Sequence, residues 1–470
     1  AKNDLGRNLL SKISYMALAQ IFFAFTSVVS ILVLPKLLSL ESFGYYQLFI
    51  FFANYVELLH FGLSDGIYLR YGGRRFESIL KRTLKSQIYA MEILYALECL
   101  IIFFAVYTFS FDKRLFLYIA ISGAITVPRS FLYNLLQSIN EIKKSIVVLL
   151  IERIFVLSSI AIVYFVDFDK ARFLIFSFIF ARFISFAYIC FLCRDVFKAK
   201  TTPFVKSLFY IFKNMRIGIR LTISTLCNIF LIFIARSMIA WKFSVIVFGK
   251  ISLVLSLLNF ALFFINAFSA ILFPILRNKS ANEQNEIFKI LDDGLSAIFI
   301  FLFLFAYPMQ ILLALWLPKY ADALHYMPII FAIFLCEGKT LLLTNSYFKA
   351  LRKERQMLRV NLIILTLFSI FIMLAVVVSD DLFIIMFCLF LSLFLKYVAL
   401  SRELAKFINS VNFYNIGTDF FCSVCFVFLS RAAGEAYSFC LAAAMFIFLF
   451  ALKRKNLIRL FRFANTAEFK

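Results

Sequence analysis

The sequence predicts an all-α polytopic membrane protein of about fourteen transmembrane helices, built as two pseudo-repeated six-helix bundles with a further C-terminal helix pair. Three observations predict it. Apolar side chains make up 63% of the 470 residues and charged ones 16%, with a mean hydropathy of +0.94; a soluble domain is nearer half apolar and a quarter charged. Apolar runs of about 18 to 24 residues, each long enough to cross a bilayer at ~1.5 Å per residue, follow one another along the chain. Finally, a membrane hairpin at residues 42–73 has an echo roughly 205 residues later, in the manner of a duplicated unit.

The runs place spans near 13–35, 44–62, 87–109, 115–137, 146–166, 172–193, 218–240, 249–275, 294–316, 326–347, 359–378, 382–401, 415–430 and 437–452. The first, from Ile13, is too long for a cleavable signal and lacks a small-residue cleavage site. The second ends abruptly in Gly62, Gly66, Arg70, Gly72 and Gly73. Its echo is the eighth: Phe248-Gly249 stands for Phe43-Gly44, Leu253 for Leu48, Asn259 for Asn54 and Ser269 for Ser64. Span four closes on Asn134 to Gln137 followed by Lys143-Lys144, and span ten on Asn345 to Phe348 followed by Arg352-Lys353, a second echo. Pro128 and Pro274 are candidate kinks inside spans, whereas Pro35 and Pro318 read as helix ends. Between spans six and seven lies the longest gap. It holds Pro203 and an apolar-basic stretch, 204–212, suited to lying along a membrane surface. The expected organisation is an N-terminal bundle over 1–193, a basic cytoplasmic linker over 194–217, a C-terminal bundle over 218–401, and a terminal pair with a basic tail over 402–470.

The net charge of +23 does not point to nucleic acid, because the Lys and Arg residues lie between apolar spans on alternate sides. One set of connections carries Lys2, Arg7 and Lys12, then Arg70 to Lys85, Lys143-Lys144, Arg194 to Arg216, Arg277 with Lys279, Lys349 to Arg355, Arg402 with Lys406, and Lys453 to Lys455. The other set is short and mixed or acidic: Lys36 with Glu41, 111–114, Asp167 with Asp169, 318–323 and Asp380-Asp381. By the positive-inside rule, both termini are cytoplasmic and the number of spans is even. Nine cysteines fall in or at the edge of apolar spans and read as inert thiols. His60 and His325 are too few and too far apart for a metal site. No phosphate loop, HExxH or GxSxG motif is present, which argues against direct ATP drive and against an enzyme, and no cofactor is expected.

An ionised side chain at mid-bilayer costs on the order of 2.5–3.5 kcal/mol on insertion scales, so each one needs a reason. The sequence places Glu57, Glu92, Glu98, Arg129, Glu152, Arg153, Arg182, Arg236, Glu337, Lys339 and Lys396 within spans. Glu152-Arg153 and Glu337-Lys339 do not face each other on a helix, so their partners must come from other spans or from a ligand. Glu98 with Arg182 is one candidate pair. Two readings stand for these residues: interhelical ion pairs with snorkelling, which suits Lys396, Glu92 and Arg153, or a hydrated cationic cavity accepting an anionic, sugar-bearing substrate. The candidates for such a cavity are Arg129, Arg182, Arg236 and Lys339, with Asn54 and Asn259 for sugar hydroxyls. Asn54, Asn259 and Gln137 serve equally well as helix–helix hydrogen-bonding groups. Glu57, Glu98 and Glu337 are the candidates for carrying a coupling H⁺ or Na⁺.

The first hairpin, with Glu41, Phe43, Gly44, Tyr46, Gly62, Arg70 and Tyr71, resembles the opening of Wzx-type oligosaccharide flippases. Residues 233–253 with Leu272 to Leu276, and 316–330 with Pro318, Tyr320 and Ala323, are similar to later motifs of the same family. The resemblance covers about residues 5 to 400. It implies the MATE/polysaccharide-transporter superfamily fold, two six-helix bundles forming a V plus a terminal pair, in a bacterial inner membrane. It also implies translocation of an undecaprenyl-diphosphate-linked oligosaccharide to the periplasmic leaflet by ion-coupled alternating access. A polysaccharide polymerase and a chain-length regulator would then be partners. Drug or lipid II export within the superfamily is the alternative, and a membrane O-antigen polymerase or ligase is a weaker one, because every expected outer loop is short. Ala235 stands before Arg236 where relatives often have Asp, so a role resting on that acid is in doubt here.

Overall fold

The computed structural model describes residues 18–432 except 73, 75, 109–111 and 278, together with 440, 443, 444, 447 and 448. The expected fourteenth span lies largely outside the described residues, as do Lys2, Arg7, Lys12 and Lys453 to Lys455. Among the described residues the chain is helical throughout, with no strand, and eleven helices are long and apolar enough to cross a membrane. The chain divides into two compact units, Ala1–Leu226 and Cys227–Lys470.

Unit 1 is built from α1 (Leu18–Leu37), α2 (Leu40–Val56), α3 (Leu63–Tyr71), α4 (Lys81–Thr108), α5 (Lys113–Ser138), α6 (Ile142–Ile162), α7 (Lys170–Leu192) and the start of α8 (Phe204–Lys242). The polar residues of the short connections begin these helices. Ser39 accepts the N–H of Ser42 at 3.1 Å, Asp112 those of Arg114 and Leu115, and Asp169 that of Arg172, each satisfying donors that a helix start leaves unpaired. Leu63, Ile67, Leu84, Phe131, Leu135, Val148 and Ile189 form part of one buried apolar core. Pro128 lies inside α5 without ending it.

Span two, expected as one helix over 44–62, is broken. After Val56 the chain tightens into a 3₁₀ turn, Glu57–His60, then passes through two left-handed residues, Phe61 (φ 45°) and Gly62 (φ 84°), before α3 begins. The apolar-basic stretch 204–212 forms the first part of α8, a single helix of 39 residues. Gly218 falls within α8 where α3 crosses it. A Cβ there would overlap the Gly62 carbonyl oxygen and the Gly66 amide nitrogen, and one on Gly66 would overlap the Asn214 carbonyl. Glycine on both sides lets the two backbones touch, and Asn214 adds hydrogen bonds from Arg70 (2.8 Å) and to Gln87 (2.7 Å).

Unit 2 comprises the remainder of α8, α9 (Val245–Arg277), α10 (Ala281–Leu302), α11 (Ala306–Trp316), α12 (Met327–Lys339), α13 (Asn345–Ala350), α14 (Glu354–Val378), α15 (Leu382–Leu404) and α16 (Phe413–Ala432). A capping box between Ser280 and Glu283 starts α10 well before residue 294, where the apolar run begins. Asp292 and Asp293 are therefore inside a helix, and both are buried. A π-helical turn, Thr340–Thr344, joins α12 to α13 in the most enclosed of the candidate spans among the described residues. The expected thirteenth span, α16, packs within unit 2, with Phe426 stacked on Phe303 at 4.6 Å. Apolar side chains such as Ile101, Phe165, Leu315, Val377 and Val378 cover the exterior, as a lipid-facing surface requires.

Candidate functional site: two buried charge clusters

In unit 1, Thr126, Arg129, Ser130 and Tyr133 recur at helical spacing on one face of α5. Arg129 Nη1 lies 2.9 Å from Glu152 Oε2 of α6, and Arg182 Nε of α7 lies 3.5 Å from the other carboxylate oxygen. Arg182 also donates to Thr126 Oγ1 (2.6 Å) and Asn54 Oδ1 (3.3 Å), with its guanidinium 4.4 Å from the Phe178 ring centroid. Ser130 donates to Glu57 at the helix break. Two cations thus meet two carboxylates in the interior, and the balance makes their burial tolerable. The pairing is not saturated: Arg129 Nη1 and Arg182 Nε share the one Glu152 carboxylate, and Arg129 Nε has no hydrogen-bond acceptor among the described residues.

In unit 2, Lys339 is fully enclosed. Its ammonium donates to Asp292 Oδ1 of α10 (2.7 Å), Ser296 Oγ (2.6 Å) and Asp419 Oδ2 of α16 (2.6 Å), so all three protons are used. Asn415 bridges Asp292 and Asp293 through its amide nitrogen at 2.8 and 2.7 Å. Two residues before Lys339, Glu337 of α12 accepts from Lys396 of α15 at 2.5 Å. With Asp292, Asp293, Asp419 and Glu337 around Lys339 and Lys396, this cluster holds more carboxylates than cations. The π-helical turn begins at the residue after Lys339, and such turns are frequent at functional sites.

The structure brings Arg129, Arg182, Asn54 and Glu57 together in unit 1, and in unit 2 it pairs Glu337 with Lys396 and Lys339 with Asp292 and Asp419. The others lie apart. Arg236 donates to Ser252 at 2.8 Å and sits over the Phe248 ring. Asn259 is exposed on α9, and Glu98 is half-buried on α4. The candidate pair of Glu98 with Arg182 does not form, because Glu152 takes Arg182. Lys396 does not snorkel: it is 1% exposed, held by Glu337.

Glu152, Asp292, Asp293, Asn415 and Asp419 complete the clusters without having been singled out as site residues. Asp292 and Asp293 fell before the expected start of span nine. Asn415, Asp419 and Ser423, four apart along an apolar helix, carried a signal that polar spacing alone could have found.

No family model matches the chain, and no curated protein matches it in sequence. Among solved structures, its fold is similar to that of the lipid II flippase MurJ in an inward closed conformation. That match has 12% identity and a TM-score of 0.58 over 96% of this chain and 99% of that one. The fold is also similar to an inward-facing multidrug resistance MATE family transporter of the MOP superfamily, with 12% identity and a TM-score of 0.55 over 82% and 98%. The chain has the membrane fold that these two transporters share.

Proposed function

We propose that the protein is a flippase that carries an undecaprenyl-diphosphate-linked oligosaccharide repeat unit from the cytoplasmic to the periplasmic leaflet of a bacterial inner membrane. The proposed termini are cytoplasmic, the proposed cycle is alternating access coupled to an H⁺ or Na⁺ gradient, and the product feeds surface polysaccharide assembly. The observation that carries this reading is the near end-to-end likeness to a flippase of a lipid-linked glycan, which spans more of this chain than the likeness to the multidrug transporter. The unit 1 cluster adds chemical support. One of its buried guanidinium donors, Arg129 Nε, lacks an acceptor among the described residues, and a diphosphate or sugar acid supplies oxygen acceptors that match arginine geometry. Asn54, exposed beside Arg182, offers an amide to sugar hydroxyls.

The test is transbilayer movement in proteoliposomes carrying a fluorescent undecaprenyl-diphosphate oligosaccharide, read by access of an impermeant sugar-modifying reagent. Protein-dependent access to the inner-leaflet pool, accelerated by a pH or Na⁺ gradient, is the expected result. Movement no faster than in empty vesicles would reject the reading. Transport of cationic drugs without lipid-linked glycan movement would establish the multidrug alternative.

A further inference from the structure

His60 closes the break between α2 and α3, and the flippase reading gives it no task. It is buried, and its Nδ1 accepts the N–H of Gly62 at 3.0 Å. The two residues that follow it are left-handed, a conformation that a phenylalanine rarely adopts, so this bond holds a turn the backbone would not otherwise favour. A ring nitrogen accepts only while it carries no proton; in the imidazolium form both nitrogens donate. The observed turn therefore requires neutral His60 with its hydrogen on Nε2.

Burial opposes a charge on the ring, and two carboxylates favour one, Asp65 from the first turn of α3 and Glu57 from the same 3₁₀ turn. On α5, Tyr133 lies within electrostatic reach of Arg129 and Glu57, Ser130 donates to Glu57, and α4, which carries Glu92 and Glu98, also packs against the turn. Gly62 in turn lies backbone to backbone against Gly218 and Ile219 of α8, too close for any side chain. Asp65 is fastened to the same helix by the hydroxyl of Thr222.

We propose that His60 is a proton-binding site that governs the break between α2 and α3. Uptake of one proton from water by the Nδ1 lone pair ends its acceptance of the Gly62 N–H. The new N–H and the Gly62 N–H are then two donors facing each other, and Gly62 loosens from its seat on α8. The charge that appears is offset by Glu57 and Asp65, and no electron changes hands. The proton site stands on the turn geometry alone; its use as the proton arm of coupled transport rests on the flippase reading.

Amide hydrogen exchange over residues 56–66 tests this with full-length protein in lipid nanodiscs and no substrate present. After correction for intrinsic exchange, protection around Gly62 should fall at least tenfold between pH 8 and pH 4, the acid end of the range being needed because burial opposes the charged ring. His60→Asn supplies an amide oxygen near the position of Nδ1 and does not titrate, so it should stay protected at both pH values. Asp65→Asn should move the wild-type midpoint to lower pH, because a lost negative charge disfavours imidazolium. Wild-type protection independent of pH, or a His60→Asn variant that follows the wild-type profile, would overturn the proposal. If His60→Asn fails to fold, the wild-type profile decides alone. Because no glycan is used, a negative flipping assay and a negative exchange result remain distinct.

Discussion

Lys396 and Glu337 show what burial does to a charge in this chain. Each is enclosed and each has the other at 2.5 Å. Removing one partner of a buried pair strands the other, at a cost of about 3–5 kcal/mol, whereas replacing both with apolar groups is often neutral. Lys396→Met should therefore lower the midpoint of thermal unfolding sharply, and Lys396→Met with Glu337→Leu should restore most of it, as read by a thiol-reactive dye on the chain's free cysteines. At the surface the magnitudes are smaller. The hydrogen bond from Arg431 holds the Asp381 carboxyl below its ordinary value, with the N–H of Phe383 adding to it. A depressed carboxylate stabilises the fold above its unfolded value near pH 4, and that contribution is lost as pH falls through the folded value. Asp381→Asn should thus differ from wild type at pH 6, and the difference should shrink as pH falls below about 4 in thermal unfolding. The difference stays modest because the pair is largely exposed. The residue types of the clusters were legible in the sequence, since Arg129, Arg182, Lys339 and Glu337 stand out in apolar runs. Their partners were not, because pairing between helices depends on rotation and depth that hydropathy does not record.

Among the elements, the second span departs most from its reading. The cluster of glycines placed its end correctly at Gly62, yet nothing in the apolar run announced that the helix tightens at Glu57 and restarts at Leu63. The eighth span makes an instructive contrast. In the register that aligns Asn54 with Asn259, Gly62 corresponds to Ala267, and α9 runs unbroken through that point from Val245 to Arg277. Alanine cannot take the left-handed conformation cheaply, so the helix continues. Gly62→Ala should strain the turn and push a methyl into Gly218 and Ile219; Gly218→Ala should meet Gly62 and Gly66 from the other side. Each is expected to cost on the order of 1–3 kcal/mol, as overpacking does, measured as a lowered unfolding temperature. If Gly218→Ala were neutral, the helices would not be in backbone contact there. The apolar-basic stretch 204–212 has a composition that suits an interface, and because no proline follows Pro203 before Lys242 it continues directly into α8.

For the molecule as a whole, the class of fold followed from composition and run length, because a bilayer sets helix length by simple geometry. The role of the thirteenth span did not. It had been left over from two sets of six, whereas α16 delivers Asp419 and Asn415 to the centre of unit 2 and stacks Phe426 on Phe303. A chain ending after Ala405 should consequently leave Lys339 short of one carboxylate, and it should elute from size exclusion in detergent as aggregate rather than as a single species. An intact, monodisperse truncated protein would show that Asp292 and Ser296 suffice.

Asp419 follows Lys339 by 80 residues. During synthesis the ribosome must therefore release several further helices into the membrane before the lysine obtains its second counter-ion. Until then a nascent chain carries a cation only half compensated among apolar neighbours. Membrane insertion of this half and its final consolidation are accordingly separate events, and the interval between them is when an insertase or a quality-control protease can still tell an unfinished copy from a finished one.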